Sequence, residues 1–446
     1  MSDATRVYLT ALSILRHNSG TRERIERFQN RKLRQVVAHA YDRVPYYREL
    51  FDRHRISPAD IRTVDDLVKI PITRKEDIRG MAPERLIARG LDAKHLFQRN
   101  TTGVTGHPFT IWRTPREEFL SSATIMRREL RALGVRRGDR IALVKSPPRG
   151  KAPRESKREK PGSAALRRML IRRAGADRVH RINAYTPLDE IAESLRVAQP
   201  DVVAGLPGIL TLVAQRLESL GDTSIKPRLV ITSAETVTPA MRDQLSRAFK
   251  APVYDTYGSQ EFSRIATECV VTGEYHICDD SVLVEVLAGD RAAAPGETGR
   301  VIATNLHSYA MPFLRFELGD LATRGRDLCT CGVPFPTLLG IQGRMIDIFR
   351  MPDGSDLHPG TLLNAAWPHI GWISEYRYVQ ETTSRVVMYL TTRSHPTELE
   401  LADLVQREEK VLGPEVEFVC KLVDQIERDP SGKTRPFRSL VRSTYD

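Results

Sequence analysis

Several features common in chains of this length are scarce or missing here. Only five cysteines occur among 446 residues. No uninterrupted apolar run approaches the ~20 residues that a membrane-spanning helix needs. The N-terminal stretch MSDATRVYLTALSILRHNSG has a short apolar patch, but neither a basic n-region nor a small-residue cleavage site. These absences point to a cytoplasmic chain with no membrane segment, in which disulfides are not expected. Aromatics are absent from the most basic stretch, Lys145 to Gly175, so base stacking on nucleic acid has no support there. A lysine is also missing. The Gly/Thr-rich segment TTGVTGHP, Thr101 to Pro108, could cradle phosphate with backbone amides and hydroxyls. A Walker A loop would follow its second glycine with lysine, whereas Gly106 is followed by His107 and Pro108.

What is present describes an ordinary globular protein. The length suggests two or three domains, and 41% hydrophobic with 28% charged residues excludes a disordered or fibrous chain. The formal charge of +12 admits anionic partners, among them nucleic acid, nucleotides and coenzyme A. Much of that excess lies in Lys145 to Gly175, whose first half is rich in Pro, Ser, Lys and Arg and whose second half could be a basic helix. A solvated insertion, about 147–174, is the ordinary reading of such a run.

Periodicity organises the rest. Ile25, Phe28, Leu33, Val36, Val37 and Ala40 fall near helical spacing, so the first ~60 residues read as helices. Thr73 and Glu76 form a plausible capping box after Pro71. Strand-like RIALVKS (from Arg140), DVVAG (from Asp201), RLVITSA (from Arg228) and APVYDTYG (from Ala251) follow. Helices over 186–200, 209–217 and 239–249 alternate with them, which predicts a mostly parallel α/β layer. From Tyr275 the pattern changes to paired strands, HICDDSVLVEVL and RVIATNL, and the last ~95 residues read as a small α+β unit. No internal repeat is visible.

Six short stretches become informative together: TTGVTGHP; SAET from Ser233; YDTYGSQE from Tyr254, expected just after a strand; RFELGD from Arg315; GRMID from Gly343; and GKTRP from Gly432. This ordered series resembles the acyl-adenylate-forming superfamily, specifically its phenylacetate–CoA ligase-like, CapK-like branch. VPYYRELFD, DDLVKIPITRKEDIR and GEYHICDD add to the likeness, which covers nearly the whole chain. It implies an α/β fold with a large N-terminal adenylation domain, 1–346, and a small mobile α+β lid, 347–446.

Activating a carboxylate with ATP requires two anions to meet and negative charge to be held on phosphates. By resemblance, Thr101, Thr102, Gly103, Thr105 and Gly106 would cradle the β and γ phosphates. Tyr257 and Gly258 would flank the adenine, with Ser233, Ala234 and Glu235 along its edge. Glu261 would bind Mg²⁺, as a carboxylate suits a hard cation. Asp320 would accept from the ribose hydroxyls with Arg344 assisting. Lys433 would bridge the substrate carboxylate and the α-phosphate, supplying a cation from the far end of the chain, and the lid would swing about Asp347. Taken singly, each residue reads as a turn, a capping carboxylate, a solvated charge or a packed aromatic; the ordered set carries the assignment. The chain departs from the branch at Val104 and His107, where threonine and lysine are usual, and at Gln260, where threonine is usual.

Four of the five cysteines fall in two groups, Cys269 and Cys278 around His276, and Cys329 with Cys331. Thiolates with an imidazole suit tetrahedral Zn²⁺; small buried thiols are the alternative. Some relatives of the branch carry structural zinc at matching positions, which implies Cys269, His276, Cys329 and Cys331. His276 and Cys278 are two apart and would share a strand face, so Cys278 is an alternative ligand. Cys420 stands apart as a core residue.

The expected function is ATP-dependent activation of a carboxylic acid, aryl or related, followed by transfer to coenzyme A. One alternative keeps adenylation but passes the acyl group to an amine, hydroxyl or other nitrogen nucleophile. Another is a non-catalytic, zinc-stabilised nucleotide- or RNA-binding protein. Nucleic acid is disfavoured, and oligomeric state and the acid itself are not legible.

Overall fold

The computed structural model describes residues 3–100, 109–145, 178–184, 186–344, 349–357, 362, 365–369, 372–426 and 436–441. The Gly/Thr loop at 101–108, most of the basic run, the Asp347 region and the Lys433 turn lie outside them.

Helices Asp3–Ile14, Arg22–Arg43 and Pro45–His54 open the chain. All six residues expected on one face of the second are buried; Leu33, Val36, Val37 and Ala40 share a core with Leu283, Leu306 and Leu314 from far along the chain, and Phe28 packs with Ile14, Leu120 and Cys278. Thr21 caps that helix by accepting from the Arg24 amide. A buried polar cluster adds to this anchorage. His17 Nδ1 lies 2.6 Å from Asp280 Oδ2, and Arg128 bonds to the same carboxylate. Burial works against ionisation of Asp280, but Arg128 and His17 outweigh it and hold the carboxyl well below its usual range.

A hairpin of β1 (Phe97–Asn100) and β2 (Thr110–Arg113) brackets the Gly/Thr loop. Then comes the alternation read from the sequence. β3 (Ile141–Lys145), β4 (Val179–Asn183), β5 (Val202–Gly205), β6 (Leu229–Ser233) and β7 (Val253–Ser259) run parallel. Helices Leu188–Ala198, Pro207–Ser219 and Pro239–Phe249 cover them, burying Leu195, Val213, Leu245 and Phe249 in one core. Pro187 precedes the first of these helices as its cap and is not its first residue.

The expected mostly parallel layer covers only part of the sheet. β7 pairs antiparallel with β8 (Ser263–Glu268), and β9 (Tyr275–Ile277), β10 (Val282–Ala288), β11 (Arg291–Ala292), β12 (Thr298–Asn305), β13 (Phe316–Arg324) and β14 (Thr337–Arg344) extend the same sheet. The result has 12 strands, in the order β11-β10-β12-β13-β14-β9-β8-β7-β6-β5-β3-β4. The shift from helical crossovers to short turns after β7 explains the change of direction, since antiparallel neighbours need no crossover.

A second core begins at Phe349. After the short pair β15 (Phe349–Arg350) and β16 (Asp356–Leu357), a four-stranded sheet has the order β19-β18-β17-β20. Its strands are β17 (Ile373–Thr382), β18 (Arg385–Thr392), β19 (Glu417–Leu422) and β20 (Phe437–Ser439). Helix Glu398–Leu412 packs on it, capped by Thr397. The unit touches the larger part through Arg393, which donates to Gln215 on helix Pro207–Ser219. No helix among the described residues is long and apolar enough to cross a membrane.

Candidate functional site

Three pieces expected to hold a nucleotide gather where the sheet turns from parallel to antiparallel. In sheets of this kind, ligands bind beyond the carboxyl ends of the parallel strands. Ser233 ends β6, and Ala234 after it has φ +72°, a left-handed conformation that costs a residue with a Cβ. That turn sends Glu235 back over the start of helix Pro207–Ser219, where its carboxylate accepts from the Gly208 amide at 3.2 Å. Tyr376 of the second unit is half-buried nearby, and desolvation together with the Glu235 charge pushes its hydroxyl up.

The strand expected over APVYDTYG is β7, and it takes in Tyr254 to Ser259 of YDTYGSQE rather than ending before them, which leaves only Gln260 and Glu261 in the turn to β8. Gly258 is required there. A Cβ at that position would lie 1.9 Å from the Ser263 carbonyl oxygen, so the tight β7–β8 turn admits no side chain. Tyr257 donates its hydroxyl to Asp320 Oδ2 at 2.6 Å, joining the expected adenine and ribose contacts across the sheet. Asp320 is also the register partner of Arg344. The Arg344 side chain, Thr101, Thr102, Gly103, Thr105, Gly106 and Lys433 lie outside what the structure describes.

Glu261 is buried, and Arg113 holds its backbone by donating to the Gln260 and Glu261 carbonyls at 2.7 and 3.0 Å. Burial alone would raise the Glu261 carboxyl, but attraction to Lys75 prevails and lowers it. Lys75 Nζ donates to Glu261 Oε1 at 3.0 Å. Sequence reasoning assigned Lys75 no chemical role. The helix it opens is one turn, Lys75–Ile78, and the Arg74 amide donates to Asp77, so Thr73 and Glu76 are not its capping box. Thr73 instead bridges to β13 through two backbone bonds. No spacing rule connects residue 75 with residue 261, so no linear signal could have revealed the pair.

The second site is the sulfur cluster. The ligand atoms of Cys269, His276, Cys329 and Cys331 all lie within 4.8 Å of one another. Cys269 Sγ and Cys329 Sγ are 4.0 Å apart, and Cys331 Sγ and His276 Nε2 are 3.3 Å apart. Edges of about 3.5–3.8 Å follow from tetrahedral Zn–S and Zn–N bond lengths, so the donors fit such an ion. The Val271 and Val333 amides donate to Cys269 and Cys331 at 3.4 and 3.5 Å, as sulfurs carrying negative charge require. Cys278 does not join this group. It packs against Ile14, Phe28 and Leu120, and burial pushes its thiol well above the usual range. β9 ends at Ile277, so the strand that would have aligned Cys278 with His276 stops one residue short of it. Cys420 packs at the edge of the second core, as expected.

No family model matches the chain. A phenylacetate-coenzyme A ligase of Thermus thermophilus is 27% identical over 337 residues, 73% of this chain and 72% of that protein. Protein CapK of Staphylococcus aureus is 23% identical, covering 91% of this chain and 87% of its own. Among solved structures, 2-hydroxyisobutyryl-CoA ligase in its postadenylation state with an acyl-AMP matches with a TM-score of 0.76. It is 20% identical, and the match covers 95% of this chain and 91% of that one. The same enzyme in its thioesterification state gives 0.63. The fold is therefore that of the adenylate-forming ligases. In sequence the chain is similar to the phenylacetate-coenzyme A ligases and to CapK.

Proposed function

We propose that this protein activates a carboxylic acid with ATP as an acyl-adenylate and then passes the acyl group to the thiol of coenzyme A. The observation carrying this reading is the Tyr257–Asp320 bond near the carboxyl end of β7, with the buried Glu261 in the turn that follows that strand. It provides an aromatic face, a buried carboxylate and a polar carboxylate in the order that adenylation needs. Tyr257 and Gly258 flank the adenine, Ser233 to Glu235 run along its edge, and Asp320 with Arg344 takes the ribose hydroxyls. Thr101, Thr102, Gly103, Thr105 and Gly106 donate to the phosphates. Glu261 is the residue that would hold Mg²⁺, whose charge would offset that of the phosphates. Lys433 bridges the two anions during adenylation and withdraws when the lid turns.

The hinge in this reading is Asp347. Its support is that the large sheet ends at Arg344 while the second core starts at Phe349. Lid movement of this kind commonly gates the second half-reaction. The relatives' names, phenylacetate-coenzyme A ligase above all, support coenzyme A as acceptor and an aryl or related acid as substrate. The CapK likeness over most of both chains supports a second reading, in which the adenylate goes to an amine, hydroxyl or other nitrogen nucleophile. Zinc is the ion proposed for the cysteine–histidine cluster. Four protein donors leave no open position, so its role is structural.

The test is acid-dependent exchange of pyrophosphate into ATP across aryl and aliphatic acids, with mass spectrometry of the products with and without coenzyme A. Exchange is expected, and Lys433→Ala is expected to lower it steeply. Exchange unchanged by that substitution removes Lys433 from the adenylation step.

A further inference from the structure

Lys75 supplies a cation beside the nucleotide site, next to a loop that carries no lysine of its own. Its ammonium bonds to Glu261 at 3.0 Å and sits 5.4 Å from the centre of the Phe109 ring. Phe109 is the residue directly after the Gly/Thr loop. The side chains of Lys75 and Glu261 are 20% and 7% exposed, so the pair is largely desolvated and breaking it is costly.

Both partners are clamped through their backbones. The Thr73 amide donates to Arg315 at 2.9 Å, and the Glu317 amide donates to Thr73 at 3.0 Å. Arg74 Nε adds a bond to Glu317 Oε2 at 3.1 Å. The segment carrying Lys75 is therefore fixed to β13, the strand that also bears Asp320. Arg113 clamps Glu261 from the other side. A contact held in this way is built into the site. A lysine at such a place can change partners, because its charge is compact and its stem flexible, and the Phe109 face can hold the ammonium after it leaves the carboxylate.

We propose that Lys75 is a placeholder cation: it neutralises Glu261 in the nucleotide-free protein, releases that carboxylate to Mg²⁺ when MgATP binds, and turns its ammonium to the phosphate oxygens. This rests on the adenylation reading of the same site and adds a residue to it. The exchange leaves Glu261 compensated throughout. It also accounts for a phosphate loop that tolerates His107 where a fixed lysine is usual.

The ordinary alternative is a structural ion pair that fixes the N-terminal segment, and the two readings differ in sign. Binding of Mn²⁺ to the nucleotide-free protein and binding of MgATP are measured by calorimetry for the wild type, Lys75→Met and Lys75→Arg, with melting recorded for each. Lys75→Met is expected to bind Mn²⁺ several-fold more tightly, because no ammonium competes for Glu261. The same variant is expected to bind MgATP more weakly and to lose about 10²-fold in exchange, the usual cost of removing one donor to developing charge. Lys75→Arg keeps a cation and is expected to retain more MgATP binding than Lys75→Met. Glu261→Gln is expected to abolish the Mn²⁺ site in question.

Mn²⁺ and MgATP affinities that fall together, or a Mn²⁺ isotherm indifferent to Glu261→Gln, overturn the proposal. Should Lys75→Met melt too low to assay, Lys75→Gln gives the same two readings. If the wild type exchanges pyrophosphate with no acid tested, the adenylation reading fails, while the two binding measurements still decide the part played by Lys75.

Discussion

The cysteine–histidine cluster and the nucleotide site share one sheet and are built in opposite ways. The cluster takes all its donors from the chain between Cys269 and Cys331, and two of its sulfurs accept bonds from amides two residues on. The proposed nucleotide site gathers Lys75, Ser233, Tyr257, Glu261 and Asp320 from elements far apart in the chain, and its bonds run across them. With an ion bound, a site of the first kind would form as soon as its two turns meet and would staple them. A site of the second kind exists only when the whole sheet does. Damage to the cluster should therefore appear in stability, and damage to the nucleotide site in chemistry.

Asp320→Ala gives the largest expected contrast. Exchange should fall by about 10²-fold or more, as when a preorganised polar group is removed. Melting should change little, because one hydrogen bond with Tyr257 is worth only about 1 kcal/mol. Exchange within a few-fold of the wild type would take Asp320 out of the ribose contact. Next comes Cys331→Ser, or a strong chelator applied to the wild type. Because metal binding is coupled to folding, the melting temperature should drop by several degrees, while exchange measured well below it stays within several-fold. An unchanged melt in chelator would show that the donors hold no ion.

Ala234→Gly has the smallest expected effect. Releasing a left-handed alanine should raise stability by about 1 kcal/mol, read as a shift in denaturant midpoint. A loss of stability instead would mean that contacts of the Ala234 methyl outweigh the backbone cost.

The same contrast governs what could be read from the sequence. Proximity and donor chemistry marked two Cys/His groups, Cys269, His276 and Cys278 in one and Cys329 and Cys331 in the other, and the family resemblance chose four of those five. Only Cys278 misled, because strand alternation was carried one residue past the end of β9. The parallel strands and their helices were equally clear, since strand–helix alternation is a local pattern. Their continuation as seven antiparallel strands of the same sheet was not, because neighbours such as β9 and β14 are chosen by packing over long separations. Within the proposed nucleotide site, Tyr257, Glu261 and Asp320 were nominated through motif order and the family resemblance. Lys75 escaped because its meaning depends on Thr73 bridging to β13, a contact that leaves no trace in spacing.

That bridge also sets a schedule. Arg74 and Glu317 stand 243 positions apart, so a ribosome adding roughly 5–20 residues per second leaves the segment before them unmoored for roughly 10–50 s. Nascent chains released early would carry a lysine with no carboxylate to meet, and the N-terminal helices would wait with their apolar faces uncovered until Leu306 and Leu314 emerged. Synthesis slowed between these points should thus expose the newborn protein to chaperones or proteases through its first residues, long before any defect could be traced to its last.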